Sequence, residues 1–130
     1  RYFNVYGERQ PTNGQYAPVV GIFQRQFSDN KKMTIVGDGT QRRDYTHVKD
    51  VVSANAKIIE SELNGFQIFN IGTGINYSVL EIAEMIGGPY EFIPKRKGEA
   101  KETLADISKA NKMLNWSPSI MIKDWIENNI

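Results

Sequence analysis

The sequence has no cysteine and only one histidine in 130 residues. Without thiols it can build no disulfide framework, no thiolate metal site and no cysteine nucleophile. The lone His47 lacks the partners that a histidine metal site or a catalytic triad requires, so it reads as structural and no metal site is expected. Absence of cysteine suits a reducing compartment, and the expected location is cytoplasmic. Charge of one sign is also missing: 16 Lys and Arg face 15 Asp and Glu, a formal net charge of +1. There is no overall basic field for nucleic acid, and an anion must be met by a local site. No apolar run approaches the ~20 residues of a membrane-spanning helix, and the first residues lack a signal-peptide pattern. Neither nucleic acid nor a membrane is an expected partner. The length suits one ordinary domain and is short for a dinucleotide enzyme with a separate substrate lobe.

What is present alternates between strand and helix signals. Tyr2 to Tyr6, Met33 to Val36, Gln67 to Ile71 and Tyr90 to Ile93 are short β-branched or aromatic runs bounded by turn residues, and they predict strands. Val20, Phe23 and Phe27 predict one helical face, and Val52, Ala56, Ile59 and Leu63 a second, with Asp50 as its N-cap. Ser78-Val79-Leu80-Glu81 is a capping box ahead of Ile82, Met85 and Ile86. Ser108 is placed to cap a short helix through Leu114, which Ser117-Pro118 stops, and Ile122, Trp125 and Ile126 mark a last helix. Both tryptophans read as packing residues. The pattern predicts a small mixed α/β unit over residues 1–130, and the strand that begins at the first residues suggests part of a longer protein.

The chemistry concentrates in GDGTQRRDYTHVKD, residues 37–50. Gly37-Asp38-Gly39 turns the backbone and presents Thr40 through Tyr45 on an expected loop. A guanidinium there matches phosphate oxygens as a planar fork of donors, although a surface ion pair of Arg43 with an acid is the simpler reading of the residues alone. Pro94-Lys95-Arg96-Lys97-Gly98-Glu99 is a second basic loop, equally readable as a phosphate ligand with Glu99 on sugar hydroxyls or as a solvated charged face. Asn4, inside an apolar strand, either turns toward a ligand or satisfies a neighbouring loop. Asn70-Ile71-Gly72-Thr73-Gly74 lacks the lysine and the third glycine of phosphate-cradling loops and reads as a turn.

Taken in order, RYFNVYG, GDGTQRRDYTHVKDVV, FNIGTG, KRKGE and ADISKANKMLNW resemble the C-terminal half of extended short-chain dehydrogenases/reductases of the NAD-dependent epimerase/dehydratase family, especially its nucleotide-sugar 4-epimerases. The resemblance implies the substrate-binding portion of a Rossmann-type enzyme whose N-terminal half is missing here. That half would supply the dinucleotide loop, the catalytic Ser or Thr and the Tyr-x-x-x-Lys pair, and it would hold most of the NAD. Tyr2 and Tyr6 have no lysine four positions on, so no catalytic residue is expected in this chain and the fragment alone should be inactive. Arg43 and Arg96 would grip the diphosphate of a nucleotide sugar, Glu99 the ribose, and Asn4 the region of diphosphate and sugar. Phe3 would lie against the nicotinamide, Thr34, Ile35 and Val36 would meet the base through backbone, and Val19 and Val20 would line the pocket. Asp44, Tyr45 and Asp50 would be structural, with Arg42 outside the motif.

Two departures from the family pattern matter. Thr103 stands where some members carry a tyrosine that closes the sugar pocket, which favours an N-acetylhexosamine over a plain hexose. Gly21 replaces a proline common in that helix. The implied function is NAD-dependent 4-epimerisation of a UDP-hexose or UDP-N-acetylhexosamine through a 4-keto intermediate, in a parent expected to be a homodimer. The alternatives are a nucleotide-sugar 4,6-dehydratase or decarboxylase of the same family, or a non-catalytic binding or oligomerisation module.

Overall fold

A computed structural model describes residues 1–14 and 16–130. Its elements in chain order are β1 (Val5–Tyr6), α1 (Val19–Ser28), β2 (Met33–Val36), β3 (Arg42–Asp44), β4 (Thr46–His47), α2 (Val48–Glu60), β5 (Asn76–Ser78), α3 (Val79–Ile86), β6 (Tyr90–Ile93), α4 (Ser108–Leu114) and α5 (Ile122–Asn129). The strands pair two by two: β1 with β4 and β2 with β6 in parallel, and β3 with β5 antiparallel. The mixed α/β class expected from the sequence is what the chain forms.

Two apolar clusters hold these pieces. One gathers Val20 and Phe23 of α1, Ile82 and Ala83 of α3, and Trp125 and Ile126 of α5 against Met33 and Ile35 of β2. The other joins Val51 and Ala54 of α2 to Ala110 and Leu114 of α4, with Phe69, Ile71 and Trp116. Both tryptophans are packing residues, as read from the sequence.

Local chemistry accounts for the helix starts. Ser78 and Glu81 close the capping box of α3, and Gly87 ends that helix in the left-handed region. The start of α2 differs from expectation. His47 is its N-cap, accepting the Lys49 N–H at Nδ1 (3.2 Å), and Asp50 sits inside the first turn. Asp50 instead accepts from Ser119 N–H and Oγ–H and from Ile120 N–H at 2.7–3.0 Å, fastening the turn before α5. Ser108 is likewise not a cap; Ile107 holds that position and Asp106 accepts the Ser108 N–H.

Three further expectations are corrected. The face of α2 is displaced by one residue: Val51 and Ala54 are buried, whereas Val52 and Ile59 are exposed. Gln67 to Ile71 makes no ladder, only a bridge between Ile71 and Tyr2. The segment expected as a loop contains β3, because Arg42, Arg43 and Asp44 pair with Ser78, Tyr77 and Asn76, a long-range partnership that a polar triplet does not advertise.

Candidate functional site

The strand β3 alternates its side chains between two faces, as a period of two requires. Arg42 turns to one face, where it donates to Asn76 Oδ1 and O (2.8 Å each) and pairs with Glu81 at 2.9 Å. Arg43 turns to the other, with its side chain only 13 % exposed, donating to Arg42 O at 2.8 Å and facing Glu99 Oε1 at 3.5 Å. This second face opens into a cavity of about 520 Å³ walled by α1, β2, the β3–β4 segment and the 94–99 loop.

Of the residues singled out from the sequence, Asn4, Val19, Thr34, Val36, Arg43, Arg96 and Glu99 line this cavity. Arg96 is exposed and has no hydrogen-bond or ion-pair partner among the described residues, so its guanidinium is open at the mouth. Asn4 is held in the left-handed region (φ 31°) and donates through Nδ2 to Asp44 O at 3.0 Å and Thr103 Oγ1 at 3.2 Å. A non-glycine residue at positive φ is costly and here stands on the cavity wall.

Phe3, Val20, Ile35 and Thr103 are not part of the wall. Val20 and Ile35 are fully buried in the core behind it. The Thr103 hydroxyl accepts from Asn4 Nδ2 and, at 3.4 Å, from Asp44 N–H, so it positions the asparagine rather than facing the cavity. Gly21 has a local reason: a Cβ there would lie 2.5 Å from Pro11 O, so glycine lets the Gly7–Gln10 turn and Pro11 pack on α1 at the cavity rim.

Sequence reasoning did not single out Tyr45 and Gln41 as cavity residues. Tyr45 is buried on the wall with its hydroxyl unpartnered among the described residues, and burial pushes that hydroxyl above the ordinary tyrosine range. An apolar ring with an unused polar tip beside a guanidinium is a site signal that the RDY run carries only once its strand alternation is known. Gln41 lines the wall and donates to Val36 O at 3.0 Å.

Asp44 fastens the site from behind. Its buried carboxylate accepts from Thr73 N–H (2.8 Å) and Oγ1–H (2.7 Å), Gly74 N–H (2.9 Å) and Ala105 N–H (3.1 Å). These bonds settle the Gly72-Thr73-Gly74 stretch: the Thr73 and Gly74 N–H groups are committed to Asp44, and a Cβ on Gly72 would clash with the Ala105 Cβ. No phosphate cradle remains there. The tyrosine–lysine spacing of four does occur once, at Tyr45 and Lys49, contrary to the expectation that the chain lacks it. The geometry separates the two: Tyr45 precedes α2 and points into the cavity, whereas Lys49 is exposed and bonds Glu8 at 2.8 Å. They cannot act as one proton-transfer pair.

Among the described residues no cluster of three His, Cys, Asp or Glu could hold a metal, and no helix is long and apolar enough to cross a membrane.

Residues 1–72 match the family model described as "NAD dependent epimerase/dehydratase family". A UDP-glucuronate 4-epimerase of Thermodesulfobacterium geofontis is 36 % identical, covering 100 % of this chain and 41 % of its own length. The UDP-glucuronic acid decarboxylase 1 of Arabidopsis thaliana is 32 % identical over 95 % of this chain and 29 % of its own. The crystal structure of the UDP-glucuronic acid 4-epimerase from Bacillus cereus in complex with UDP-glucuronic acid and NAD superposes with a TM-score of 0.85 at 34 % identity, over 98 % of this chain and 41 % of that one. The chain thus spans about two-fifths or less of each relative's length and matches the C-terminal part of the epimerase structures. With ordered motifs, a shared fold and a family match over more than half of its residues, this chain belongs to the NAD-dependent epimerase/dehydratase family.

Proposed function

We propose that the chain is the substrate-binding portion of an NAD-dependent UDP-sugar 4-epimerase. The observation that carries this reading is the meeting, in one cavity, of the Arg43 and Arg96 guanidiniums, the Glu99 carboxylate and the open edge of β2. Two planar donor forks suit a diphosphate, an acid suits ribose hydroxyls, and a strand edge suits a base. Arg43 meets Glu99 at the cavity, so its guanidinium is already aimed where a diphosphate would sit.

The family is NAD-dependent, and bound NAD would take the hydride from the sugar C4 and return it. The residues here fit a minor share in holding that cofactor. The Thr73 and Gly74 backbone donors are already used by Asp44, so this chain's share in holding the cofactor would be an apolar contact from the half-buried Phe3 ring. Proton transfer at the C4 hydroxyl would then fall to residues of an additional dinucleotide-binding half. Asn4, set by Thr103 and Asp44, would orient the sugar beside the diphosphate.

Epimerisation is tested by incubating the full-length protein with UDP-glucose, UDP-N-acetylglucosamine and UDP-glucuronic acid and following C4 inversion by NMR. Inversion of one of these supports the reading. A 32 %-identical decarboxylase among the relatives keeps decarboxylation as the second reading; release of carbon dioxide from UDP-glucuronic acid without a 4-epimer would replace the first with it.

A further inference from the structure

The strand β2 uses its odd-numbered residues to pair with β6: Met33 N–H donates to Pro89 O and Gly37 N–H to Ile93 O, in a parallel register that sets Ile35 opposite Phe92. The backbone groups of Thr34 and Val36 therefore face away from β6, toward the cavity that both residues line. Along that edge lie four groups in order: Thr34 N–H, Thr34 C=O, Val36 N–H and Val36 C=O. The two outer groups are closed by glutamine side chains. Gln26 of α1 accepts the Thr34 N–H at Oε1 (3.0 Å) and holds itself there by donating to Thr34 Oγ1 (3.0 Å). Gln41 donates to the Val36 carbonyl at 3.0 Å. The inner two, Thr34 C=O and Val36 N–H, have no partner among the described residues.

We infer that Gln26 and Gln41 are positioning residues for base selection: by capping the outer groups of this edge they leave one acceptor and one donor that match the N3–H and O4 of a uracil-type imide and reject cytosine. The inference rests on the nucleotide-binding reading above. Thr34 C=O takes the N3–H and Val36 N–H gives to O4, because O2 flanks the glycosidic bond and turns to the ribose. Cytosine in the same seat sets a bare N3 lone pair against the Thr34 carbonyl and an amino donor against Val36 N–H, two mismatches at once. A slide of one group along the strand would cure both, by pairing N3 and the amine with Thr34 N–H and C=O, or with Val36 N–H and C=O. Each slide needs one outer group: the single Thr34 N–H proton is already given to Gln26, and the Gln41 amide sits on the Val36 carbonyl, which a base's amine would have to share. The selectivity lies in two side chains that need not touch the base.

The test is equilibrium binding of UDP, CDP and 3-methyl-UDP to the full-length protein and to Q26L, Q41L, Q26E and R43A. The wild type is expected to prefer UDP to CDP by ~10-fold or more, as for unpaired polar groups in a binding site, and to bind 3-methyl-UDP no better than CDP. Q26L and Q41L each open one slide and should bring the UDP-to-CDP ratio to within ~3-fold. Q26E keeps the acceptor over Thr34 N–H and should keep the preference, while R43A should weaken all three nucleotides and leave the ratio unchanged. An unchanged ratio in both leucine variants overturns the role of the glutamines and leaves the nucleotide site intact. Equal binding of UDP and 3-methyl-UDP by the wild type overturns the imide reading without any variant having to fold. Failure of every nucleotide to bind the wild type overturns the proposed function instead.

Discussion

Arg42 and Arg43 follow one another on β3, carry the same charge, and face opposite environments. On the Arg42 face the guanidinium donates to three acceptors, Asn76 Oδ1, Asn76 O and a Glu81 carboxylate oxygen, and Glu81 has its own second commitment to the Ser78 N–H at 2.6 Å. That backbone bond, reinforced by Arg42, holds the Glu81 carboxyl below its ordinary pKa range. On the Arg43 face the guanidinium has one carbonyl and a long contact to Glu99, over an open cavity. Arg42 ties β3 to β5 and α3, whereas Arg43, with fewer partners, is the arginine proposed to meet a ligand. Number of partners, rather than charge, distinguishes the two arginines.

The strongest way to break this contrast is to remove what stands behind both faces. Asp44→Ala leaves four donors without their acceptor and should destabilise the protein by about 3 kcal/mol or more in urea unfolding. A loss below ~1 kcal/mol would mean that the site loops are not anchored there. Next, Arg43→Ala should weaken UDP-sugar binding by about 1.5–3 kcal/mol, with Arg96→Ala in the same range, as for hydrogen bonds to a charged group, while the melting temperature stays within a few degrees. Calorimetric titration decides it, and unchanged affinity in both would remove the diphosphate assignment. Arg42→Ala should do the reverse: about 1 kcal/mol of stability lost, a modest figure because its ion pair is more than a third exposed, with nucleotide affinity untouched.

Thr103→Tyr sharpens the sugar end. Thr103 stands behind the cavity wall rather than in it, so the variant acts by removing the acceptor that holds Asn4 Nδ2. The ratio of turnover on UDP-N-acetylglucosamine to UDP-glucose should change through the displaced asparagine; equal ratios in wild type and variant would show that the Thr103–Asn4 bond does not set the sugar preference. The smallest effect concerns pH. Burial lowers the His47 pKa from 6.5, outweighing the opposing pull of Glu8 and Asp50. The unfolded chain then binds a proton before the folded one does, so His47 contributes stability that is full above the unfolded pKa and fades as pH falls below it. Stability between pH 7.5 and 5.5 should drop less steeply in His47→Gln than in the wild type, and identical slopes would show that the histidine is not the group responsible.

Local signals in the sequence were readable where the cause is local. The Ser78–Glu81 capping box, the apolar period of Val20 and Phe23, and the β-branched runs at Met33 to Val36 and Tyr90 to Ile93 each act within a few residues, and each forms the expected element. Arg43, Arg96, Glu99 and Asn4, which the ordered motifs single out, line one cavity. What escaped depends on distant partners. Asp50 carries the residue type of a cap but is drawn into the first turn of α2 by Ser119 and Ile120, and the polar triplet of β3 becomes a strand only because β5 lies beside it. Likewise, nothing near Thr103 shows that its hydroxyl serves Asn4, 99 positions away.

The carboxylate of Asp44 has a consequence for the order of folding. Its partners lie 29, 30 and 61 positions further along the chain, and the Arg96 and Glu99 that complete the cavity also come late. Contacts of such high sequence separation carry a large loop-closure cost and tend to form after local helices. During synthesis, β1 through α3 can have left the ribosome while the cavity is still incomplete, because Arg96 and the Ala105 N–H have still to emerge. Mutations at Asp44 should then speed unfolding more than they slow folding, the kinetic mark of a fastening made last.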